Sequence, residues 1–363
     1  MISSVLGKTQ ISLILLAMLL VLMGLLMIFD TTSAEVLDRS LDANIYFACL
    51  KQLGYVVISI IVGTLIYKMG YERLIAMSPV AYGVIAAMLV LVLIPHVGSE
   101  LNGARRWLAI GPFSFQPSEL MKFILPFMFL YAERKNWRLR MFICALPLLL
   151  VLFEPDNGCA AIMLALIVVL CFVTRIPWLY WAFPLLVMIC LGGAIASQRP
   201  HVHDRIQIYL HPELDLLGKG HQPFQAKIAA GSGGLLGRGV GESLQKLNYL
   251  PEARSDYIAA IFAEEFGFLG MFFLILIYMV MIYLGFNLAT RSKTREGYVL
   301  ATSLTFLLGL QAFLNLGVVC GLLPSKGTNL PFFSHGGSNF LANAMILSAI
   351  LTVDRKWKKL PLF

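Results

Sequence analysis

Charge is what this chain has least of. Only 13% of its 363 residues are Asp, Glu, Lys or Arg, while 59% are hydrophobic. A soluble domain carries about a quarter charged residues, so an ordinary globular protein is excluded. Paired cysteine spacing is missing too. Of the six cysteines, Cys144, Cys159, Cys171 and Cys190 lie inside apolar runs, with neither a disulfide framework nor a metal-ligand pattern, and read as small apolar side chains. Internal repeats, heptads and low-complexity segments are absent. So are the short alternating segments of a membrane barrel. What remains are long apolar runs, and these indicate an all-α polytopic membrane protein.

A helix needs roughly 20 apolar residues to cross a bilayer core. Ten spans fit, at about 11–29, 47–67, 78–95, 117–132, 141–153, 158–173, 179–196, 268–289, 298–320 and 337–353. The fifth and sixth are kept separate because "EPDNG" at 154–158 would bury two carboxylates if they were merged. The first run is read as a retained anchor and not a cleaved signal peptide, since its removal would leave nine spans. One membrane domain, 1–363, accounts for the chain, with a single large insertion at about 197–267.

Basic residues favour cytoplasmic loops. With both termini inside, Lys8, Lys68, Arg73, Arg134, Lys135, Arg138, Arg140, Arg175, Arg291, Lys293, Arg295, Arg355, Lys356, Lys358 and Lys359 all fall on that side. The first outer loop, Asp30 to Asp42, is mainly acidic. The net charge of +8 is accounted for by the inner fringe, which suits anionic lipid headgroups and gives no indication of nucleic acid. The expected location is a cytoplasmic membrane crossed many times.

Most outward basic residues lie in two long loops, about 102–122 and 197–267. In the first, Pro117 suits the first turn of a helix. Glu119 and Lys122 then share one face, either as a structural ion pair or facing a cavity. In the second, "FQAKIAAGSGGLLGRGVG" could bend its backbone around a phosphate or form a flexible surface loop. The stretch "YLPEARSDYIAAIFAEEFGFLG" concentrates charge beside an apolar run. From Tyr257 to Ala289 is too long for one straight crossing, and Gly267 and Gly270 offer a break. A short interfacial helix over 256–266 is expected, capped by Ser255 or Asp256, with Arg254 keeping the aspartate ionised.

The blocks "GARRWLAIGPFSFQPSE", "EPDNG", "FQAKIAAGSGGLLGRG", "YLPEARSDYIAAIFAEEFGFLG" and "LLPSKGTNLPFFSHGGSN" run in this order over nearly the whole chain. Together they resemble the SEDS family, the shape, elongation, division and sporulation proteins of bacterial cell-wall synthesis. "YLPEA" and "LPSKGTNLPF" look more like its division branch than its elongation branch. The resemblance implies a peptidoglycan glycosyltransferase that polymerises lipid II at the outer face of the cytoplasmic membrane. It places the family's essential aspartate on Asp256 and its outer-cavity residues on Arg105, Glu119, Lys122, Asp156, Gln225 and Lys227. Arg254 and Ser255 stand where the family more often has His and Thr, Asn157 replaces a usual Leu, and His335 takes the place of a Tyr.

A pyrophosphate leaving group needs positive charge near the departing oxygens. Arg105, Arg106, Lys227 and Arg205 are grouped for that role by side of the membrane. Asp256 is the expected base for the acceptor hydroxyl, with Glu264 and Asp156 next in line. No cofactor is marked by the residues. A divalent cation, Mg or Mn, on the pyrophosphate with Asp256 and Asp156 as ligands is compatible with them, although no ligand spacing marks a metal site. The resemblance also implies a partner, a monofunctional class B penicillin-binding transpeptidase, together with other division or elongation proteins. Two other classes compete. A flippase of the lipid-linked precursor would show midplane charges and repeated halves, and a non-catalytic scaffold for the transpeptidase would not need Asp256.

Overall fold

In the computed structural model, residues 7–39, 45–95, 98–101, 104–110, 113–154, 156–182, 220–247, 253–324 and 327–354 are described, with 186, 209, 215 and 250 as single positions. The helices are α1 Lys8–Arg39, α2 Phe47–Met69, α3 Tyr71–Leu93, α4 Pro117–Glu133, α5 Trp137–Phe153, α6 Asn157–Val173, α7 His221–Ser232, α8 Ile258–Thr290, α9 Arg295–Val319 and α10 Gly337–Thr352. Of these, α1, α2, α3, α8 and α9 are long and apolar enough to cross a bilayer. Nine of the ten expected spans match a helix among the described residues. The seventh, 179–196, lies almost wholly outside them, as does Arg205.

Burial separates the helices into two groups. α4 is buried almost throughout and packs against α3, α5, α6, α9 and α10. α1, α2 and α8 instead turn side chains such as Leu22, Leu26, Ile60 and Phe273 outward, as a lipid-facing surface requires. Caps fix several starts. Asn136 accepts from Leu139 N at 2.7 Å, Asp156 from Cys159 N at 3.0 Å and Thr294 from Gly297 N at 3.0 Å, each satisfying a donor the helix leaves free.

Two loop expectations are corrected. The 102–122 region is not all loop: β1 Gly98–Leu101, β2 Ala104–Ile110 and β3 Phe113–Phe115 form an antiparallel meander ahead of α4. The Asn102-Gly103 pair between β1 and β2 is the sequence signal for such a hairpin. Nor does an acidic loop begin at Asp30, because α1 continues through Arg39 and Asp30 is a helical residue.

The break in α8 falls where glycine permits it. Gly267 has φ 65° and ψ −163°, a conformation closed to residues with a Cβ. The glycine-rich segment explains why the break persists. Arg238 N donates to Glu264 O at 3.0 Å and Gly239 N to Glu265 O at 3.1 Å, while Phe268 N donates to Gly234 O at 2.9 Å and Leu269 N to Leu235 O at 3.2 Å. This loop is therefore tied at its backbone to the kink, while Leu235, Leu236 and Val240 stay exposed. Its backbone completes the hydrogen bonding that a kinked helix leaves open.

The carboxylates beside the kink tie the same loop down. Glu264 accepts from the Ser243 hydroxyl at 2.5 Å, Ser232 Oγ at 3.3 Å, Leu244 N at 3.2 Å and Gln245 N at 3.3 Å. Glu265 accepts from Lys246 Nζ at 2.9 Å, and the same ammonium donates to Asp30 of α1 at 2.7 Å. Glu264 is thus fully engaged by the protein.

The helix ends sort into two poles. At one, Arg134 pairs with Glu296, and Glu133 accepts from Arg140 at 3.4 Å and Arg295 at 2.9 Å. Gln10 Nε2 donates to Leu351 O there at 2.7 Å. The other pole carries the sheet, the glycine loop, the turn before α8 and the start of α10.

Candidate active site

The segment between α9 and α10 assembles this second pole. His335 N donates to Arg254 O at 3.0 Å, holding the turn before α8. Ser338 Oγ accepts from Gln116 N at 2.9 Å, at the start of α4. Asn339 Nδ2 donates to Glu119 Oε2 at 2.8 Å. Three residues of "SHGGSN" therefore tie the turn before α8 to the start of α4.

Asp256 lies in the turn 253–257 and is half-buried. Its expected capping role is corrected. The residue flanking α8 is Tyr257, which makes no side-chain cap, and the 256–266 helix begins at Ile258. Asp256 is held through its backbone, its carbonyl accepting from Asn315 Nδ2 at 2.8 Å. Its Oδ2 faces Gly327, 3.3 Å from the position a Cβ would take there.

Glu119 and Lys122 form an ion pair at 2.7 Å, with side-chain exposures of 10% and 2%. Together with Asn339, Gln311 at 3.4 Å and Asn343 at 2.7 Å they make a buried polar network. A carboxylate and an ammonium can be carried inside an apolar bundle only when so paired.

A second group surrounds Asp156. Its Oδ1 caps α6 and lies 3.7 Å from Arg106 Nη1, and its Oδ2 accepts from Gln116 Nε2 at 3.0 Å. Behind it Glu154 is fully buried, with neither carboxylate oxygen hydrogen-bonded. Burial raises Glu154 to about 8, reinforced by the Asp156 charge and opposed by Arg106, so this acid is mainly neutral at pH 7. Arg105 lies beside Arg106 on β2, opposite Glu100.

On α7, Gln225 is half-buried and Lys227 exposed. The Lys227 stem occupies the space over Gly321, which brings this lysine to the same α9–α10 segment that faces Asp256. His335 is pushed down to about 4 by burial, then by Arg254 and Lys51, and is a neutral ring at physiological pH. Among the described residues no three His, Cys, Asp or Glu side chains come close enough to hold a metal ion. A cation on a bound pyrophosphate would take most of its ligands from phosphate and water, with no more than two carboxylates from the chain.

Gln116, Asn315, Asn339 and Glu154 are the residues whose roles no motif spacing announces. Asn315 had one signal available, a polar amide inside the apolar run "FLNLGVV".

A family model of cell cycle proteins, covering FtsW, RodA and SpoVE, matches residues 10–359. The chain is 35% identical over 356 residues to stage V sporulation protein E of Bacillus subtilis, covering 94% of this chain and 96% of that protein. It is 35% identical over 351 residues to the probable peptidoglycan glycosyltransferase FtsW of Nitrosomonas europaea, covering 93% and 90%. Among solved structures it resembles a chain of a peptidoglycan synthase complex studied for its coordination of polymerization and crosslinking, with a TM-score of 0.76, 25% identity and coverage of 94% and 96%. It also resembles the rod shape determining protein RodA of Thermus thermophilus, with a TM-score of 0.69, 25% identity and coverage of 95% and 97%.

Proposed function

The chain belongs to the cell cycle protein family of FtsW, RodA and SpoVE and is a peptidoglycan glycosyltransferase of a multi-pass membrane type, and from that premise we propose that Asp256 is its general base. The acceptor sugar hydroxyl of lipid II loses its proton to Asp256 as it attacks the anomeric carbon of the donor, and the undecaprenyl pyrophosphate leaves. Arg105, Arg106, Arg205, Lys227 and Arg254 are the cations proposed to stabilise the departing phosphates. Glu119, Lys122, Asp156 and Gln225 line the substrate's cavity. The alternative role for Asp256 is as ligand, with Asp156, of a divalent cation, Mg or Mn, that would ride on the pyrophosphate in place of the base.

The observation that carries this reading is the setting of Asp256, half-buried in a turn whose backbone is held by Asn315, with its Oδ2 facing Gly327 and the Lys227 stem brought to the same α9–α10 segment. The pole rich in Arg134, Arg140, Arg291 and Arg295 supports an inner assignment for that end and for both termini, leaving the Asp256 pole on the extracytoplasmic side. Resemblance to a synthase complex that joins polymerization to crosslinking supports a transpeptidase partner, which we take to be a class B penicillin-binding protein. We read residues 1–363 as a single membrane domain acting in division or sporulation.

The test is polymerisation of purified lipid II by the protein in proteoliposomes, with and without the partner. Glycan strands that disappear in Asp256→Asn support the reading. Transbilayer movement of lipid II without polymer supports the flippase, and polymer made only by the partner supports the scaffold.

A further inference from the structure

The turn bearing Asp256 is secured from outside its own helix, and one securing group is a buried amide. Asn315 is 1% exposed, near the end of α9. Its Nδ2 donates to two carbonyls at once, Asp256 O at 2.8 Å and Thr328 O at 2.5 Å. One carbonyl belongs to the turn before α8 and the other to the residue after Gly327. Asn315 thus sets the spacing between these two segments, and it is this spacing that leaves Gly327 opposite the Asp256 carboxylate. Gly327 has φ 62°, and a Cβ there would stand 3.3 Å from Asp256 Oδ2.

The rest of the 327–335 loop is braced independently. Leu330 N donates to Ser334 Oγ at 2.9 Å and Asn329 Nδ2 to His335 O at 2.8 Å. His335 N then reaches Arg254 O at 3.0 Å, so the loop holds the Asp256 turn at two points. Tightening comes from α9 and from this loop.

We propose that Asn315 is a positioning residue for the glycosyl transfer, holding the Asp256 carboxylate in its reactive orientation with Gly327 as the clearance that lets the acceptor hydroxyl approach. This rests on Asp256 being the base. A carboxylate on an untethered turn samples many directions, and a misplacement of about 1 Å is enough to lower a rate about 10²-fold. Substrate affinity, set mainly by phosphate and sugar contacts elsewhere, is untouched by that loosening.

Asn315→Ala removes both donors, and Gly327→Ala fills the clearance without touching the buried amide. Each variant is measured in proteoliposomes for lipid II binding stoichiometry, KM and kcat, beside Asp256→Asn as control. The expected result is stoichiometry and KM within about twofold of the parent and kcat per binding site lowered about 10- to 100-fold in both variants. If kcat falls only in proportion to stoichiometry, so that each remaining site turns over at the parent rate, Asn315 is merely structural and the proposal fails. Should Asn315→Ala not fold, Gly327→Ala decides, and parent-like kcat in it overturns the proposal. Parent-like kcat in Asp256→Asn is a separate outcome, which removes the base assignment itself.

Discussion

Glu264 and Glu265 end the short helical stretch that Asp256 precedes, yet the two ends bury a carboxylate to different depths. At the far end both glutamates are nearly inaccessible, at 1% and 2% exposure, and apart from Glu265 Oε2 their oxygens are met by Ser232, Ser243, Lys246 and the backbone N–H groups of 243–245. At the near end Asp256 is half-buried and held by its main chain. The difference shows why a charge-poor chain gathers acids here. On the proposed function the carboxylate of Asp256 needs a rigid platform, and the other carboxylates, joined to a kink, would provide it. The glycine loop, Lys246 and Asp30 lock α8 to α1 so that the turn before it stays placed.

The comparison is broken most severely at its structural end. Lys246 serves Asp30 and Glu265 together, so Lys246→Ala leaves two acids facing each other without a cation. Losing one partner of a buried pair typically costs about 3–5 kcal/mol. Thermal unfolding of the detergent-solubilised variant checks this, and an unchanged midpoint would show that the Asp30–Lys246–Glu265 triad holds nothing in place.

Charge reversal in α4 sharpens the same contrast. Glu119→Lys or Lys122→Glu alone leaves a buried like-charge pair and is expected to lower stability by a similar amount. The double exchange should recover much of the stability. Activity should stay low if the pair faces substrate. Full activity in the double exchange would class Glu119 and Lys122 with Glu264, as structure only.

The smallest effect concerns His335. Its pKa is lowered from 6.5 to about 4, so between these values the unfolded chain binds a proton that the folded chain refuses. Stability is therefore complete above about pH 6.5 and falls as pH drops toward 4. His335→Gln should flatten this dependence, seen as a smaller loss of melting temperature between pH 7 and 5.

Much of this arrangement was readable from the chain. Apolar runs located nine of the helices among the described residues, because length and hydropathy alone decide what can cross a bilayer. Gly267 was readable as a break, since a straight Tyr257–Ala289 helix would overshoot. Pro117 and the i,i+3 spacing located the Glu119–Lys122 pair. The meander at 98–115 was hidden by its setting in a helical chain, although the dipeptide Asn102-Gly103 is a hairpin signal in the sequence. The glycine loop's tie to the kink was not legible, because composition shows where backbone can bend and not what its N–H groups meet. Asn315 and Asn339 act across 59 and 220 residues of sequence, and no local pattern encodes a contact of that range.

The central claim is that Asp256 reacts while Glu264 supports it, and the direct measurement compares Asp256→Asn with Glu264→Gln for lipid II polymerisation and melting temperature in one preparation. Asp256→Asn should stay folded and lose activity about 10²- to 10⁴-fold, the usual consequence of removing a general base. Glu264→Gln should lower the melting temperature, and the molecules that stay folded should polymerise at a rate near the parent's. The opposite crossing, with Asp256→Asn active and folded and Glu264→Gln stable and inactive, would contradict the account.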